Sequence, residues 1–325
     1  MQISLTHVQL KQNIDVYEDT VAFQHTIARA VEVSGIGLHS AVPVRIRLQP
    51  AAANRGIVFR RVDLDNFEIP ASWKHIARVS YATSLMRKGV LLSTTEHILS
   101  ALVGLEIDNV VVEINALELP ILDGSGTPFV TLLRQAGRKR QRQPRKFLRV
   151  REPVEVADGF KRITVIPDAQ FRITSHVNFP HPLVGRQMLE LQITPETYAR
   201  EIAPARTFGF VDQLPQMKEM GLIRGGSLAN AVVFDRESVM NAEGLRFPDE
   251  CCRHKILDLI GDLALTGYPL LGHVVAEHAG HAMHTALVLK LMRDRSLWEL
   301  TDGAQPSRAN AELRETVAVG QGASD

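Results

Sequence analysis

The chain has 325 residues, room for about two domains of roughly 150 residues that each bury a core, so a small disulfide-stapled scaffold is excluded. Its 37 Lys+Arg against 36 Asp+Glu leave a formal charge of +1, so no global basic field draws nucleic acid or anionic lipid. Apolar runs such as residues 107–114 are short and carry Asp108, Asn109 and Glu113, far from the roughly 20 apolar residues of a bilayer span, which predicts a soluble protein without a transmembrane segment.

The first 24 residues show neither a strand nor a helix period and are read as an N-terminal extension, with no basic region followed by an apolar core to mark a secretory signal. Around residues 29–33 and 42–48 the apolar positions alternate, Val42, Val44, Ile46 and Leu48 against Pro43, Arg45 and Arg47. With Gly35 and Gly37 between them, this predicts two strands and a turn. A strand at 56–59 follows. Residues 94–105 predict a helix with Ile98, Leu99, Leu102 and Val103 on one side and Ser93, Thr94 and Thr95 as candidate caps, which puts Glu96 and His97 in its first turn. Residues 107–114 alternate as another strand, 123–126 make a turn, and 128–136 a second helix.

Residues 138–146, RKRQRQPRK, hold six basic residues in nine with a proline and are read as a solvated linker in preference to a phosphate-binding patch. Beyond them, 150–156 and 162–166, split by Asp158 and Gly159, again give two strands and a turn, so the second half opens as the first does. Strands at 173–179 and 188–193 and short helices at 195–202 and 215–220 follow, with Gly225 and Gly226 as a turn. Residues 249–266 form the longest helical pattern, its stripe made by Ile256, Leu257, Ile260, Leu263 and Ala264 and its stop by Gly267, Tyr268 and Pro269. A strand at 270–276, a helix at 280–293 and a polar tail close the chain. The expected organisation is an extension at 1–24, a first domain at 25–140, a second at 141–300 and a tail at 301–325.

The two cysteines, Cys251 and Cys252, are neighbours, so an intramolecular disulfide framework and a Cys-only zinc site are both excluded. Buried packing is their expected role, and a reduced, cytoplasmic protein fits them. A transition metal then needs His and carboxylate. On the long helix His254, Asp258 and Asp262 stand at i, i+4 and i+8, on one face beside the apolar stripe. Taken alone that spacing also describes a surface ion pair, but an imidazole and a carboxylate one turn apart can close on one cation. A catalytic zinc wants a third protein ligand. His97 is the attractive candidate, because its neighbour Glu96 is the kind of residue that takes a proton from an activated water. Near the last helix, His281 follows Gly280 and could stabilise an oxyanion or protonate a leaving amine, with Asp262 able to hold its other nitrogen. His278 and His284 read as packed or exposed residues.

Over roughly residues 25–300 the sequence resembles the UDP-3-O-acyl-N-acetylglucosamine deacetylases, zinc amidases of lipid A biosynthesis. The carrying segments are VSGIGLHS, STTEHILSALVGLEIDN, ELPILDGSGTPF, ARTFGF, GGSLANAVVFD, GLRFPDECCRHKILDLIGDLAL and AGH. The resemblance implies zinc ligands His97, His254 and Asp258, a base Glu96, an acid or oxyanion-stabilising His281 oriented by Asp262, and Thr207 as a donor to the tetrahedral oxyanion. Phe208 and Lys255 match residues that contact the nucleotide. Iron(II) would suit the same ligands. It also implies an α+β fold of two similar layered domains, their helices packed face to face, with a small strand insert in each. The second insert is expected around 179–193, building an apolar passage for the fatty acyl chain. The expected partner is an acylated UDP-sugar, with no nucleic acid, at most peripheral membrane contact, and a monomeric state. His278 stands where the family commonly has Lys, and Val211, Asp212 and Gln213 replace a basic-acidic pair. Rival readings are a paralogue deacylating another N-acylated sugar and a non-catalytic, metal-stabilised binding protein. The basic run lacks interleaved aromatics for nucleic-acid stacking.

Overall fold

The computed structural model describes residues 21–77 and 79–302. Of the expected extension and tail, residues 1–20 and 303–325 lie outside the described residues. Six α-helical segments are described: α1 (Glu96–Gly104), α2 (Thr127–Ala136), α3 (Pro195–Thr197), α4 (Leu214–Glu219), α5 (Glu250–Leu263) and α6 (His281–Arg293).

Alternation of apolar and charged residues builds the first sheet. In the strand Pro43–Pro50, Val44, Ile46 and Leu48 are buried while Arg45 and Arg47 are exposed, the period-2 signature of a strand covered on one face. This sheet runs Val31–Ile36, Pro43–Pro50, Val110–Ile114, Ile57–Arg61, Phe67–Pro70, antiparallel except where Ile57–Arg61 lies parallel to Val110–Ile114. The second sheet repeats that order with Val154–Asp158, Lys161–Ile166, Leu270–Glu277, Phe171–Phe179 and Gly185–Gln192, and within these five the parallel pair is again the third and fourth in the order, Leu270–Glu277 with Phe171–Phe179. Phe147–Val150 and Trp298–Thr301 extend it. In each half a long helix comes directly before the strand that is last in the chain order of this five-strand unit, α1 or α5, and another follows it, α2 or α6. The repeated strand-turn-strand opening therefore belongs to a repeated topology.

The helices fill the space between the sheets. Helix α2 packs on Val31–Ile36 and on α1, α6 on Val154–Asp158, α5 on Phe171–Phe179, and α1 on α5 across the middle. One apolar cluster runs through all four layers, from Ile46 and Phe59 through Ile98 and Leu257 to Ile163 and Val274. Among the described residues no helix is long and apolar enough to cross a membrane.

Several expected elements differ. Residues 138–146 are solvated, as expected, but are not a linker: Arg138–Pro144 is a largely exposed strand paired antiparallel to Phe23–Ile27. Its ladder needs only backbone groups, and its charges find local partners, Arg140 lying 3.7 Å over the Phe23 ring and Arg138 pairing with Glu106 at 2.9 Å. The strand expected at 150–156 is two, ending at Val150 and restarting at Val154, with Pro153 just before the restart. The insert expected at 179–193 lies elsewhere. Gly185–Gln192 is the outer strand of the main sheet, whereas the inserted unit is the parallel pair Phe208–Phe210 and Val232–Phe234, joined through α4. The first half carries its own insert, the hairpin Leu85–Arg87 and Val90–Leu92, at the same point in the topology, between the fourth strand and the first helix.

Candidate active site

Helix α1 begins under constraint. Thr94, just before it, has φ +58°, a left-handed conformation that a β-branched residue adopts only when its surroundings force it. Its hydroxyl donates to Glu118 at 3.0 Å, and the same buried carboxylate accepts the backbone N–H groups of His39 (2.9 Å) and Ser40 (2.8 Å). The expected hydroxyl cap is absent. Thr95 makes no side-chain cap bond and donates to the Thr83 carbonyl at 3.1 Å. The turn so fixed delivers Glu96 and His97, both buried, to the crossing with α5. There Gly261 lets the helices close: a Cβ on it would stand 2.1 Å from the Glu96 carbonyl oxygen.

At that crossing His97, His254 and Asp258 each offer one ligand atom within 4.8 Å of the others. His254 Nε2 is 3.4 Å and His97 Nε2 3.9 Å from Asp258 Oδ1, with the two rings edge to face at 5.0 Å. His254 Nδ1 donates to the Ala205 carbonyl at 3.1 Å, which leaves the Nε2 lone pair facing Asp258. Burial holds both imidazoles neutral, His97 down to about 3 and His254 below its ordinary value. Burial pushes Asp258 up, but Lys255 and the surrounding imidazoles outweigh it and hold its carboxyl below the usual range. Two neutral imidazoles and a carboxylate are the donor set of a catalytic divalent-cation site.

Two further buried titratable groups, Glu96 and His281, lie beside this set. Burial raises Glu96 to about 8. Against burial, Asp262 and Asp258 lift His281 to about 9. His281 Nδ1 donates to Asp262 Oδ2 at 2.7 Å, so its Nε2 faces Glu96 Oε1 and Asp258 Oδ2, each at 3.8 Å. Two residues that sequence reasoning did not select complete the network. Thr83 donates its hydroxyl to Asp262 Oδ1 (2.5 Å) and its backbone N–H to Glu96 Oε2 (3.1 Å). His284, expected to be only packed or exposed, donates Nδ1 to Asp262 Oδ2 at 2.9 Å. Nothing local in the sequence marks Thr83, which lies in an irregular stretch, whereas His284 follows His281 at i+3 on one helix face.

Glu96, His97, His254, Asp258 and His281 line one end of a cavity of about 470 Å³, together with Thr207, Phe208 and Lys255; Asp262 lies behind His281, fully buried. Lys255 donates to Asp258 Oδ2 at 2.9 Å and sits 5.7 Å over the Phe208 ring. Much of the remaining wall is apolar, with Val211, Leu214, Met217, Ile223 and Val233 from the inserted unit and the loop after α4, interrupted by Lys218, Ser227 and His39; none of residues 179–193 lines it. His278 is not among the lining residues; it packs edge to face on Phe160 at 5.5 Å. Cys251 and Cys252 are buried and unpaired, and burial raises the Cys252 thiol to about 11.

A sequence model of the LpxC family, described as UDP-3-O-acyl N-acetylglycosamine deacetylase, matches residues 24–293. Three relatives carry the name UDP-3-O-acyl-N-acetylglucosamine deacetylase. The protein of Solibacter usitatus is 62% identical over 278 residues, covering 86% of this chain and 94% of its own. That of Myxococcus xanthus is 44% identical over 300 residues, 92% of this chain and 93% of its own. That of Syntrophotalea carbinolica is 41% identical over 284 residues, 87% and 92% of the two chains.

Proposed function

The chain belongs to the UDP-3-O-acyl N-acetylglycosamine deacetylase family, and from that membership together with the site geometry we propose that it hydrolyses the acetamide of UDP-3-O-acyl-N-acetylglucosamine, a step of lipid A biosynthesis, releasing acetate and the free amine. The observation that carries this reading is the convergence of His97, His254 and Asp258 with Glu96 and His281 on the wall of one largely apolar cavity. His97, His254 and Asp258 would hold zinc; iron(II) suits the same donors. A cation held there supplies Lewis acidity to the amide carbonyl and to the attacking water.

Glu96 accepts the proton of that water. The Thr83 N–H fixes Oε2, which leaves Oε1 turned toward His281. His281, protonated and held through Nδ1 by Asp262, presents Nε2–H first to the developing oxyanion and then to the departing amine. The Thr207 hydroxyl is the second donor to the oxyanion. Lys255 and Phe208 meet the nucleotide part, and the apolar stretch from Val211 to Val233 takes the acyl chain. Each half contributes, α1 from residues 25–140 and α5 and α6 from 141–300. The proposal includes a monomeric, cytoplasmic enzyme with at most peripheral membrane contact.

The test is amine release from the acylated UDP-sugar with and without chelator, followed by zinc add-back. Metal-dependent release is expected; its absence, or equal turnover of simple N-acetylglucosamine, would overturn the reading. In the same assay His281→Ala should keep its metal and lose on the order of 10²- to 10³-fold in kcat, as removal of one oxyanion donor does.

A further inference from the structure

His284 stands one turn beyond His281 on α6, their rings 6.0 Å apart, and is 1% exposed. Both rings turn Nδ1 toward the same oxygen, Asp262 Oδ2, at 2.7 and 2.9 Å. The other oxygen accepts the Thr83 hydroxyl at 2.5 Å. An ionised carboxylate only accepts, so each imidazole places a proton on Nδ1, and the orientation of both rings is set by one side chain.

The geometry has a mechanical consequence. The terminal torsion of an aspartate is broad and two-fold, so a carboxylate with one donor swings about its Cβ–Cγ bond. Asp262 comes from α5 and His281 from α6, and the aim of His281 Nε2 toward the cavity therefore depends on how firmly that torsion is held. Thr83 pins one oxygen from the first half of the chain, and without His284 the other would be held only by His281, the ring to be aimed; His284 supplies a hold on it that does not depend on that ring. A misplacement of about 1 Å at a reacting group costs on the order of 10²-fold in rate. Burying an imidazole without such a task is the more expensive choice, since leucine would fill the space with no polar group to desolvate.

We propose that His284 is a positioning residue for the deacetylation, holding the Asp262 carboxylate so that His281 keeps its aim; this rests on the function proposed above. His284 touches none of His97, His254 and Asp258 in the hydrogen-bond and ion-pair network described, so its loss should leave metal binding intact.

Three variants separate the hydrogen bond from the volume. His284→Asn carries an amide N–H close to the place of Nδ1, His284→Gln carries it near Nε2 instead, and His284→Leu fills the space with no donor. The readouts are kcat and KM on the acylated UDP-sugar, metal content, and the downfield Nδ1–H resonances of protein labelled with 15N-histidine. His284→Leu and His284→Gln are expected to lose about 10- to 100-fold in kcat, the range typical for removal of an outer hydrogen-bond partner, with KM and metal content unchanged. His284→Asn restores most of that loss. The His281 Nδ1–H resonance stays sharp in the Asn variant and broadens in the other two. Wild-type kcat in His284→Gln or His284→Leu overturns the proposal, as does an Asn variant no better than they are, or a loss that falls on KM or on metal. Should the wild-type protein release no amine while the His281 resonance still broadens in the Gln and Leu variants, the positioning role stands and the deacetylase reading falls.

Discussion

Asp262 has no exposed surface and accepts from Thr83, His281 and His284, so its negative charge is spent on neighbours and never reaches solvent. Its effect on His281 has a measurable sign. Burial alone would lower His281; Asp262, then Asp258, overcome it and hold the ring protonated up to about 9. A group that works as an acid is active below its pKa, so kcat/KM should fall as pH rises through the His281 value. In Asp262→Asn the larger raising charge is gone, and the alkaline limb is expected to move to lower pH. A limb that stays in place in the pH–rate profile assigns it to another group. How legible these residues were depended on spacing. His254, Asp258 and Asp262 share one helix face and could be grouped from the sequence, and the family motif joined His97 and Glu96 to them. Thr83 reaches Asp262 across 179 positions from an irregular stretch, and no local period encodes such a contact.

At the scale of elements, the long helices α5 and α6 are readable within a few residues, because their apolar positions repeat at the helix period over three turns or more, even though α5 is buried on nearly every side between α1, α6 and Phe171–Phe179. The three-residue strands Phe208–Phe210 and Val232–Phe234 carry no period long enough to detect, so the sequence places the inserted unit at 179–193 instead. The crossing of α1 and α5 was equally hidden, since it rests on the absence of a side chain. A methyl group on Gly261 would stand 2.1 Å from the Glu96 carbonyl oxygen and 2.8 Å from its Cα, both backbone atoms that cannot rotate aside. Gly261→Ala is thus expected to push the start of α1 away from α5, separating Glu96 and His97 from Asp258. Overpacking of this kind costs about 1–3 kcal/mol. The expected result is a lower melting temperature together with weaker metal binding, measured by calorimetry and by metal titration. Full activity with unchanged affinity would show that the helices slide without disturbing the site.

For the whole molecule, the duplicated topology raises the question whether the two halves fold as separate units. The apolar cluster answers from packing: Ile98 and Leu102 of α1 share it with Leu257 and Ile260 of α5, so neither half is closed without the other. A single cooperative transition is expected in calorimetry. A metal held as proposed would add a second link, because His97 comes from the first half and His254 and Asp258 from the second. Any ligand that binds only the native state stabilises it by RT ln(1 + [L]/Kd), about 2.7 kcal/mol at a hundred times Kd. Chelation should therefore lower the melting temperature of the whole transition and zinc add-back should restore it. In His97→Ala, where only second-half ligands remain, the zinc-dependent rise should shrink sharply while the metal-free melting temperature changes little, since the buried Nδ1, which has no hydrogen-bond partner, is removed along with the ring's packing contacts. Two separate transitions, with zinc moving only the one that contains α5, would show instead that the cation is held by the second half alone and that the shared core does not couple them.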